Sequence, residues 1–499
     1  MQPLPTPAGV SLRELLADEV RGPLAADLRA ASCTSDWRQV RPGDVFVAIT
    51  DAEDDGHDGA SVAAESGAAA VVCERPLPVF NIPQFVVADS RSAYGRLCQA
   101  LVGDPSQQMK VIGVTGTSGK TTVSRLLTSI FRAAGAAAGN LDSFGYWDGW
   151  EDRPALDGPL SPPMLARSLA EMSATGVRHA VVEISSRDLS QAALAGVRLD
   201  AVCMTHVGRD HLDWHGSVQN YRRAKKRVFE QLATEGVAVL NADDPVCVEM
   251  LCELDRPMLT FGLKKPAEIS AEIIEQHVNE QTFVLTTGDE SVGVRTELVG
   301  EHHIYNCLAA ATMGLAYGID LTTVARGLEA VDRLPGRMER IMGGQEFALF
   351  VDAAQSPDTL RATLRAARQV TRGRVICVFG APGEQEIEQR QVMGRVVGSM
   401  ADVAVVTTNA PRGEDARMIC LQVRSGFADL SRPQIVLDRT AAIAHAMQLA
   451  RAGDTVVIAG MGERPYGTDK EGMPMGDAEI ARKALRGTLS SAAQQRLAA

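Results

Sequence analysis

At 499 residues the chain is too long for a single hydrophobic core, and about three domains are expected. Its 45% hydrophobic and 22% charged residues describe an ordinary soluble globular protein, and 50 basic against 62 acidic side chains leave a net charge of −12. That balance argues against nucleic acid or an anionic membrane as the main partner, while allowing a local basic site for an anionic nucleotide.

The nine cysteines are scattered without a C-x-x-C pair, so reduced thiols are expected rather than disulfides or a metal cluster. The opening MQPLPTPAGVSLRELL lacks the basic-then-apolar order of a signal peptide. No apolar run reaches the roughly 18 residues that span a bilayer. A cytoplasmic protein is expected.

Residues 1–105 read as a small α/β unit. Leu12, Leu15 and Leu16 suggest a short amphipathic helix, and Arg41-Pro42-Gly43-Asp44 is a turn into the strand Val45-Phe46-Val47-Ala48-Ile49. Asp55-Gly56-His57-Asp58 precedes an alanine-rich helix, Ser61 to Gly67, and a strand, Ala69 to Cys73. His57 beside two aspartates allows a metal reading, but a turn whose polar side chains bond nearby backbone is favoured. Pro105-Ser106-Gln107-Gln108 reads as a linker.

The second unit, 106–336, opens on Val111-Ile112-Gly113-Val114, an apolar strand that runs into Gly116-Thr117-Ser118-Gly119-Lys120-Thr121-Thr122 and then into a helical pattern. Strand, glycine loop and helix N-terminus together make a phosphate site. Glycines let backbone N–H groups approach the oxygens, and the helix dipole favours the anion. Lys120 adds a point charge, and Thr121 offers a hydroxyl to Mg²⁺. In the general motif G-x-x-x-x-G-K-[ST] the first glycine would fall at Val114, so this is a tighter variant. An ATP site is expected.

Beyond it, Met164 to Thr175 is helical, and His179 to Ile184 and Asp200 to Thr205 are strands. In a mainly parallel sheet, ligands bind beyond the carboxyl ends of the strands. Glu183 lies at one such end and His211 just past another, so both can face the phosphates. Glutamate is a hard oxygen ligand suited to Mg²⁺, and histidine suits a weaker or water-mediated contact. The alternatives are a Glu paired with a lysine and a His closing a turn. Tyr221 to Phe229 reads as a basic helix with a solvated charged face. Val237 to Asp244 is a strand ending in a polar turn, residues 265–300 look like a β excursion, and Ile304 to Tyr317 is helical.

Leu334-Pro335-Gly336-Arg337 marks the boundary of a third unit, 337–499. Its strands are Leu349 to Asp352, Val375 to Gly380, Val403 to Thr407 and Thr455 to Gly460, with helices between them. The alanine-rich tail after Thr488 reads as a frayed helix.

In this order T-G-T-S-G-K-T-T, V-E-I-S-S, R-D-H-L-D-W-H-G, Y-x-x-A-K, N-A-D-D, Y-N-C-L-A-A, L-P-G-R-M-E and the Asp352 to Pro357 segment resemble the Mur ligases. R-P-G-D-V-F-V-A-I, D-G-H-D, N-A-P-R-G-E-D and I-A-G-M-G resemble the MurE branch, and the likeness runs from about residue 33 to 467. The resemblance implies an α/β fold of three domains. These are an α/β N-terminal domain for the UDP-sugar substrate, a central P-loop-type, mainly parallel sheet domain for ATP, and a Rossmann-like C-terminal domain for the amino acid. It also implies an ATP-dependent ligase that joins a diamino acid, with meso-diaminopimelate favoured, to UDP-N-acetylmuramoyl-L-alanyl-D-glutamate through an acyl phosphate. A monomer is expected.

By resemblance, Mg²⁺ is held by Thr121 and Glu183, with His211 supporting a second ion. Asn306, Arg337 and Asp352 lie on the ATP side. The lysine of Y-x-x-A-K falls on Lys225, with Lys226 as the alternative register, and is carbamylated in the family. Ser161, Ser185 and Gln191 correspond to acceptor contacts, and Arg390, Arg412 and Gly460 to the amino-acid site, where guanidinium forks suit a carboxylate.

The departures from the family pattern cluster. Trp37 replaces a serine near the uridine end, and Thr-Thr-Pro becomes Leu160-Ser161-Pro162. Ser-Ser-His becomes Ser185-Ser186-Arg187, and an arginine becomes Ala193. Tyr-Ala-His-Thr-Pro becomes Ala353-Ala354-Gln355-Ser356-Pro357, Asp-Asn-Pro-Arg becomes Asn409-Ala410-Pro411-Arg412, and Gly-Lys-Gly-His-Glu becomes Gly460-Met461-Gly462-Glu463-Arg464. The glutamate missing at 464 removes a partner for a distal ammonium, unless Glu463 takes over. Two alternatives therefore stand beside the leading reading: a ligase of the same chemistry with another acceptor or amino acid, and a pseudo-enzyme that only binds nucleotide.

Overall fold

The computed structural model describes residues 9–18, 20, 27–51, 54–79, 81–154, 159–384, 387–429, 432–468 and 472–487. The tail after Thr488 lies outside them. Three sheets organise the chain. The first has four parallel strands in the order Cys33–Thr34, Val45–Val47, Ala70–Cys73 and Gln84–Val86. Val45, Val47, Ala70 and Val72 face one buried cluster, and Phe46, Val71 and Cys73 face another, because successive side chains leave a strand on opposite faces.

The central sheet has eleven strands. Seven run parallel in the order Ala138–Asp142, His179–Ile184, Lys110–Thr115, Leu199–Met204, Leu232–Asn241, Met258–Gly262 and Ile269–Gln276. Lys110–Thr115 sits in the middle, and its side chains divide between two cores. Ile112 and Val114 pack under the helix Lys120–Ala133 with the helices Glu301–Ala316 and Leu321–Glu329, whereas Val111 packs with Leu165, Leu169 and Met172 of the helix Pro162–Ala174. A strand buried on both faces needs a continuous apolar run, and VIGV supplies it. The β excursion expected over 265–300 is real: Ile269–Gln276, Gln281–Thr287 and Glu290–Thr296 form an antiparallel meander that extends this sheet.

The third sheet runs Glu339–Arg340, Ala348–Asp352, Thr455–Ala459, Val375–Phe379, Val403–Val406 and Gln434–Ile435, parallel from the second strand onward. All four strands expected here are present, with Thr455–Ala459 inserted between the first two in chain order.

Three local expectations are corrected. Pro105–Gln107 is a short 3-10 turn rather than a loose linker. Pro105 and Ser106 are buried, and the Ser106 hydroxyl accepts from the Arg198 backbone N–H at 3.1 Å. The basic segment is the helix Val218–Lys226 followed by a 3-10 turn, Arg227–Gln231. That helix is also not simply a solvated charged face, because Tyr221, Ala224 and Lys225 are buried along one side of it. Finally, the strand expected at Val237 begins earlier, at Leu232, and ends at Asn241.

Candidate active site

The carboxyl ends of the central parallel strands converge on one cavity of about 560 Å³, walled on its far side by the third unit. The glycine loop forms its floor. Gly119 caps the helix Lys120–Ala133 with φ +87°, and Gly116 has φ +151°. A Cβ at Gly119 would come within 2.3 Å of Asn306 Oδ1, and one at Gly116 within 2.0 Å of Thr205 Oγ1. Glycine is therefore required by close approach as well as by backbone conformation. Thr117 N–H donates to the His206 carbonyl at 2.6 Å, and Thr205 Oγ1 donates to the Ser118 carbonyl at 2.6 Å, so the neighbouring strand end fixes the loop.

Lys120 Nζ donates to the Gly116 and Thr117 carbonyls at 3.2 and 3.3 Å and lies 3.9 Å from Glu183 Oε1. Thr121 Oγ1 donates to Glu183 Oε2 at 2.8 Å, and the Ser143 N–H donates to the same oxygen at 3.2 Å. A hydroxyl and a carboxylate converging at a helix N-terminus are hard oxygen donors of the kind Mg²⁺ prefers, and the pair fits that ion. Ser143 carries no sequence motif. It is brought in because it follows the strand Ala138–Asp142, whose end lies beside that of His179–Ile184.

Lys225 and Lys226 are separated by the structure. Lys226 Nζ reaches out to Glu253 at 2.6 Å, whereas Lys225 is 1% exposed and donates to Thr115 Oγ1 at 3.1 Å and the Gly116 carbonyl at 2.7 Å. Burial first, and then the charge of Lys120, pushes the Lys225 amine well below the usual lysine value; Asp210, Asp188 and Glu183 oppose that shift. Tyr221, one turn earlier, bonds Thr117 Oγ1 at 2.6 Å and so ties this helix to the phosphate loop. His211 lines the cavity with φ +52°, its Nε2 3.6 Å from Asp210 Oδ2, and burial lowers its pKa.

Across the cavity, Arg337 Nη2 approaches Thr121 Oγ1 at 3.5 Å and Ser143 Oγ at 3.4 Å, while Nη1 donates to Glu463 at 2.9 Å. Glu463 is thereby engaged by Arg337, which disfavours it as the stand-in partner of a distal ammonium. Asn306 stands against Gly119, with His302, His303 and Tyr305 beside it in the wall. Asp352 lines the cavity, but its carboxylate already accepts from Met338 N–H, Ala354 N–H and Thr363 Oγ1 at 2.8 to 3.0 Å. It therefore shapes the wall. Asp243 and Asp244 of N-A-D-D do the same. Asp243 accepts from the N–H groups of Leu263, Lys264 and Lys265 and from Tyr305, and Asp244 accepts from the Val207 N–H.

The other expected site residues do not line this cavity. Ser185 spends its hydroxyl capping the helix Ser186–Ser190. Gln191 accepts from Arg91 of the first unit. Ser161 precedes the helix Pro162–Ala174 and makes no cap bond. Arg390 is 1% exposed, its guanidinium held by Glu414 at 2.6 and 2.8 Å and by Gln422 at 2.6 Å, so it braces the loop that a free fork was expected to serve. Ala410 and Arg412 are left-handed, at φ +47° and +53°. Gly460, at φ +117°, faces Asn409, whose Nδ2 a Cβ would approach to 2.9 Å. His57 donates from Nδ1 to Asp55 at 2.6 Å and accepts the Glu74 N–H at Nε2, as the turn reading requires. Trp37 packs over Gly59 with Arg38 on its ring. Two of the departures meet: Arg464 Nη2 donates to Gln355 Oε1 at 3.2 Å at the edge of the cavity.

Profile comparison matches residues 114–314 to the Mur ligase middle domain and residues 336–462 to the Mur ligase, glutamate ligase domain. The UDP-N-acetylmuramoyl-L-alanyl-D-glutamate–2,6-diaminopimelate ligase of Geobacillus thermodenitrificans is 37% identical over 438 residues, spanning 86% of this chain and 89% of that protein. The protein of the same name from Syntrophomonas wolfei is 34% identical, over 95% of this chain and 98% of its own length. A solved structure of a ligase of that name superposes with a TM-score of 0.67 at 26% identity, covering 96% of this chain and 99% of that one. A Mycobacterium tuberculosis folylpolyglutamate synthase, solved with ADP and AMPPCP, shares the fold at a TM-score of 0.62 and 19% identity, over 79% and 94% of the two chains.

Proposed function

The chain belongs to the Mur ligase family, in its MurE branch, and from that premise we propose that it joins meso-diaminopimelate to UDP-N-acetylmuramoyl-L-alanyl-D-glutamate at the expense of ATP. The observation that carries this reading is the single cavity in which Lys120, the Thr121–Glu183 pair and the third unit come together. The first unit, to about residue 105, would hold the uridine nucleotide. Residues 106–336 would hold ATP, and 337–499 would present the amino acid. A monomer working in the cytoplasm, without nucleic acid or membrane partners, completes the reading; no described helix is long and apolar enough to cross a membrane.

In the chemistry proposed, the acceptor carboxylate takes the γ-phosphoryl group of ATP, and the amine of the amino acid displaces phosphate from the resulting acyl phosphate. Several negative oxygens must meet, so the site needs fixed positive charge and orientation more than a strong base. Lys120 and the loop N–H groups would cradle the phosphates, and Asn306 and Arg337 would contact the nucleotide. Bound at Thr121 and Glu183, Mg²⁺ supplies charge neutralisation. Lys225 has a buried amine whose pKa is pushed well below the usual lysine value, the character that uptake of carbon dioxide requires, and we assign it as the carbamylated lysine. Its carbamate would turn a donor facing the loop into an acceptor.

One contact favours a second reading with the same chemistry and a different amino acid. Arg464 stands where a carboxylate was expected, and Glu463 is held by Arg337. This loop therefore favours a substrate whose far end is a carboxylate rather than an ammonium. Phosphate release from ATP, measured with the UDP-muramoyl-dipeptide and a panel of amino acids, tests both. Turnover with diaminopimelate supports the first reading. Turnover confined to a monoamino dicarboxylic acid supports the second, and none with any amino acid despite ADP binding would refute both.

A further inference from the structure

A second cavity, of about 330 Å³, opens beside the nucleotide cavity, between the segment after the strand Leu199–Met204, the helix Val218–Lys226 and the helix Pro357–Val370 of the third unit. Its charge is lopsided. Arg209 and Arg222 line it from the central unit and Arg361 and Arg365 from the third, against one carboxylate, Asp358, which Arg361 holds at 2.8 Å. Four guanidinium groups and one carboxylate leave three uncompensated positive charges in one concavity, on a chain whose net charge is −12. Among the described residues Arg209, Arg222 and Arg365 have no ion-pair partner, and Arg222 Nε is buried with no acceptor.

Like charges gathered in a cleft repel one another, and a buried guanidinium N–H without an acceptor is costly. Both penalties are relieved by an oxyanion, whose oxygens match the guanidinium fork. The two units also approach closely here: a Cβ on Gly208 would stand 3.3 Å from Asp358 Oδ2. His206, Asp358 and Arg365 line both cavities, so the second one communicates with the nucleotide site.

We propose that this cavity is a second oxyanion site, distinct from the phosphate loop, that takes a phosphate-class anion between the central and third units and draws them together. Two sources can supply it: phosphate released by the reaction proposed above, or free phosphate from solution.

The test is calorimetric titration of inorganic phosphate into the full chain saturated with Mg²⁺ and ADP, which fills the diphosphate part of the loop site first, so that the variants below separate the second cavity from the γ-phosphate position that ADP leaves open. One phosphate per chain is expected. Arg222→Gln with Arg361→Gln should weaken it about tenfold or more, as loss of charge-assisted bonds demands, and ADP affinity should stay unchanged. Arg365→Gln, an exposed substitution that spares the fold, should weaken it several-fold. No phosphate binding in the presence of ADP, or equal affinity in all variants, overturns the site. A release lag in a single turnover with ATP, shortened by Arg365→Gln, assigns the anion to the reaction; phosphate binding without a lag assigns it to solution. Because calorimetry needs no turnover, loss of ligase activity with phosphate binding intact counts against the ligase reading alone.

Discussion

Arg439 and Asp477 form an ion pair buried within the third unit, 5% and 0% exposed. Arg439 Nε and Nη2 donate to the two Asp477 oxygens at 2.7 and 2.6 Å, and Tyr466 adds a bond to the carboxylate at 3.0 Å. The same guanidinium donates to the Thr408 carbonyl at 3.1 Å and the Ala459 carbonyl at 2.9 Å. These carbonyls immediately precede Asn409–Arg412 and Gly460, so one side chain pins both strand ends assigned to the amino acid. Asp477→Ala leaves a buried cation with two carbonyls and no counter-charge, a loss of about 3–5 kcal/mol. For a unit of this size that is a fall in melting temperature on the order of 10 °C. Thermal unfolding reads the stability term, and steady-state kinetics read the site. KM for the amino acid should rise while KM for ATP holds, since the nucleotide residues do not touch this pair. A stability loss under about 1 kcal/mol would refute the electrostatic argument. A full loss with an unchanged amino-acid KM would refute the link to the site.

Four further outcomes are expected. Gly119→Ala forces an L-residue to φ +87° and drives its Cβ into Asn306, so beyond roughly 1–2 kcal/mol of backbone strain it should lower ADP affinity by tenfold or more in calorimetry; unchanged affinity would contradict the close approach. Lys225→Ala should abolish phosphate release, with partial rescue by a small carboxylate, and an unaffected variant would remove Lys225 from the mechanism. His303 is fully buried, and burial first, with the charge of His302 second, holds its pKa well below the usual histidine value. Between that lowered value and about 6.5 the unfolded chain binds the extra proton, so stability should fall as pH drops below about 6.5. Denaturation midpoints of wild type and His303→Phe at pH 7 and 5.5 check this, and equal slopes would contradict it. Lastly, Arg464→Glu combined with Gln355→His should raise the preference for diaminopimelate over monoamino dicarboxylic acids; an unchanged ratio would show that this pair does not read the amino acid.

Much of this protein was written locally in the chain. A strand buried on both faces needs an unbroken apolar run, and a phosphate loop needs glycines where φ is positive and the helix begins. Val111 to Thr122 therefore announces both its structure and its ligand class without help from distant residues. The strands of the third unit were legible for the same reason, whereas the meander over 265–300 showed only as a stretch poor in helix signal. Pairings between distant side chains were not. Ser143 reaches Glu183 because strands far apart in sequence are neighbours in the sheet, and Arg390 closes on Glu414 across a loop. The choice between Lys225 and Lys226 turns on which side of a helix faces the phosphate loop, and the capture of Glu463 by Arg337 joins residues 126 positions apart. Local sequence dictates backbone conformation and burial through steric and hydrophobic demands that act over a few residues. Which charge meets which is decided by sheet order and by how the units seat on one another, and only the tertiary structure contains those distances.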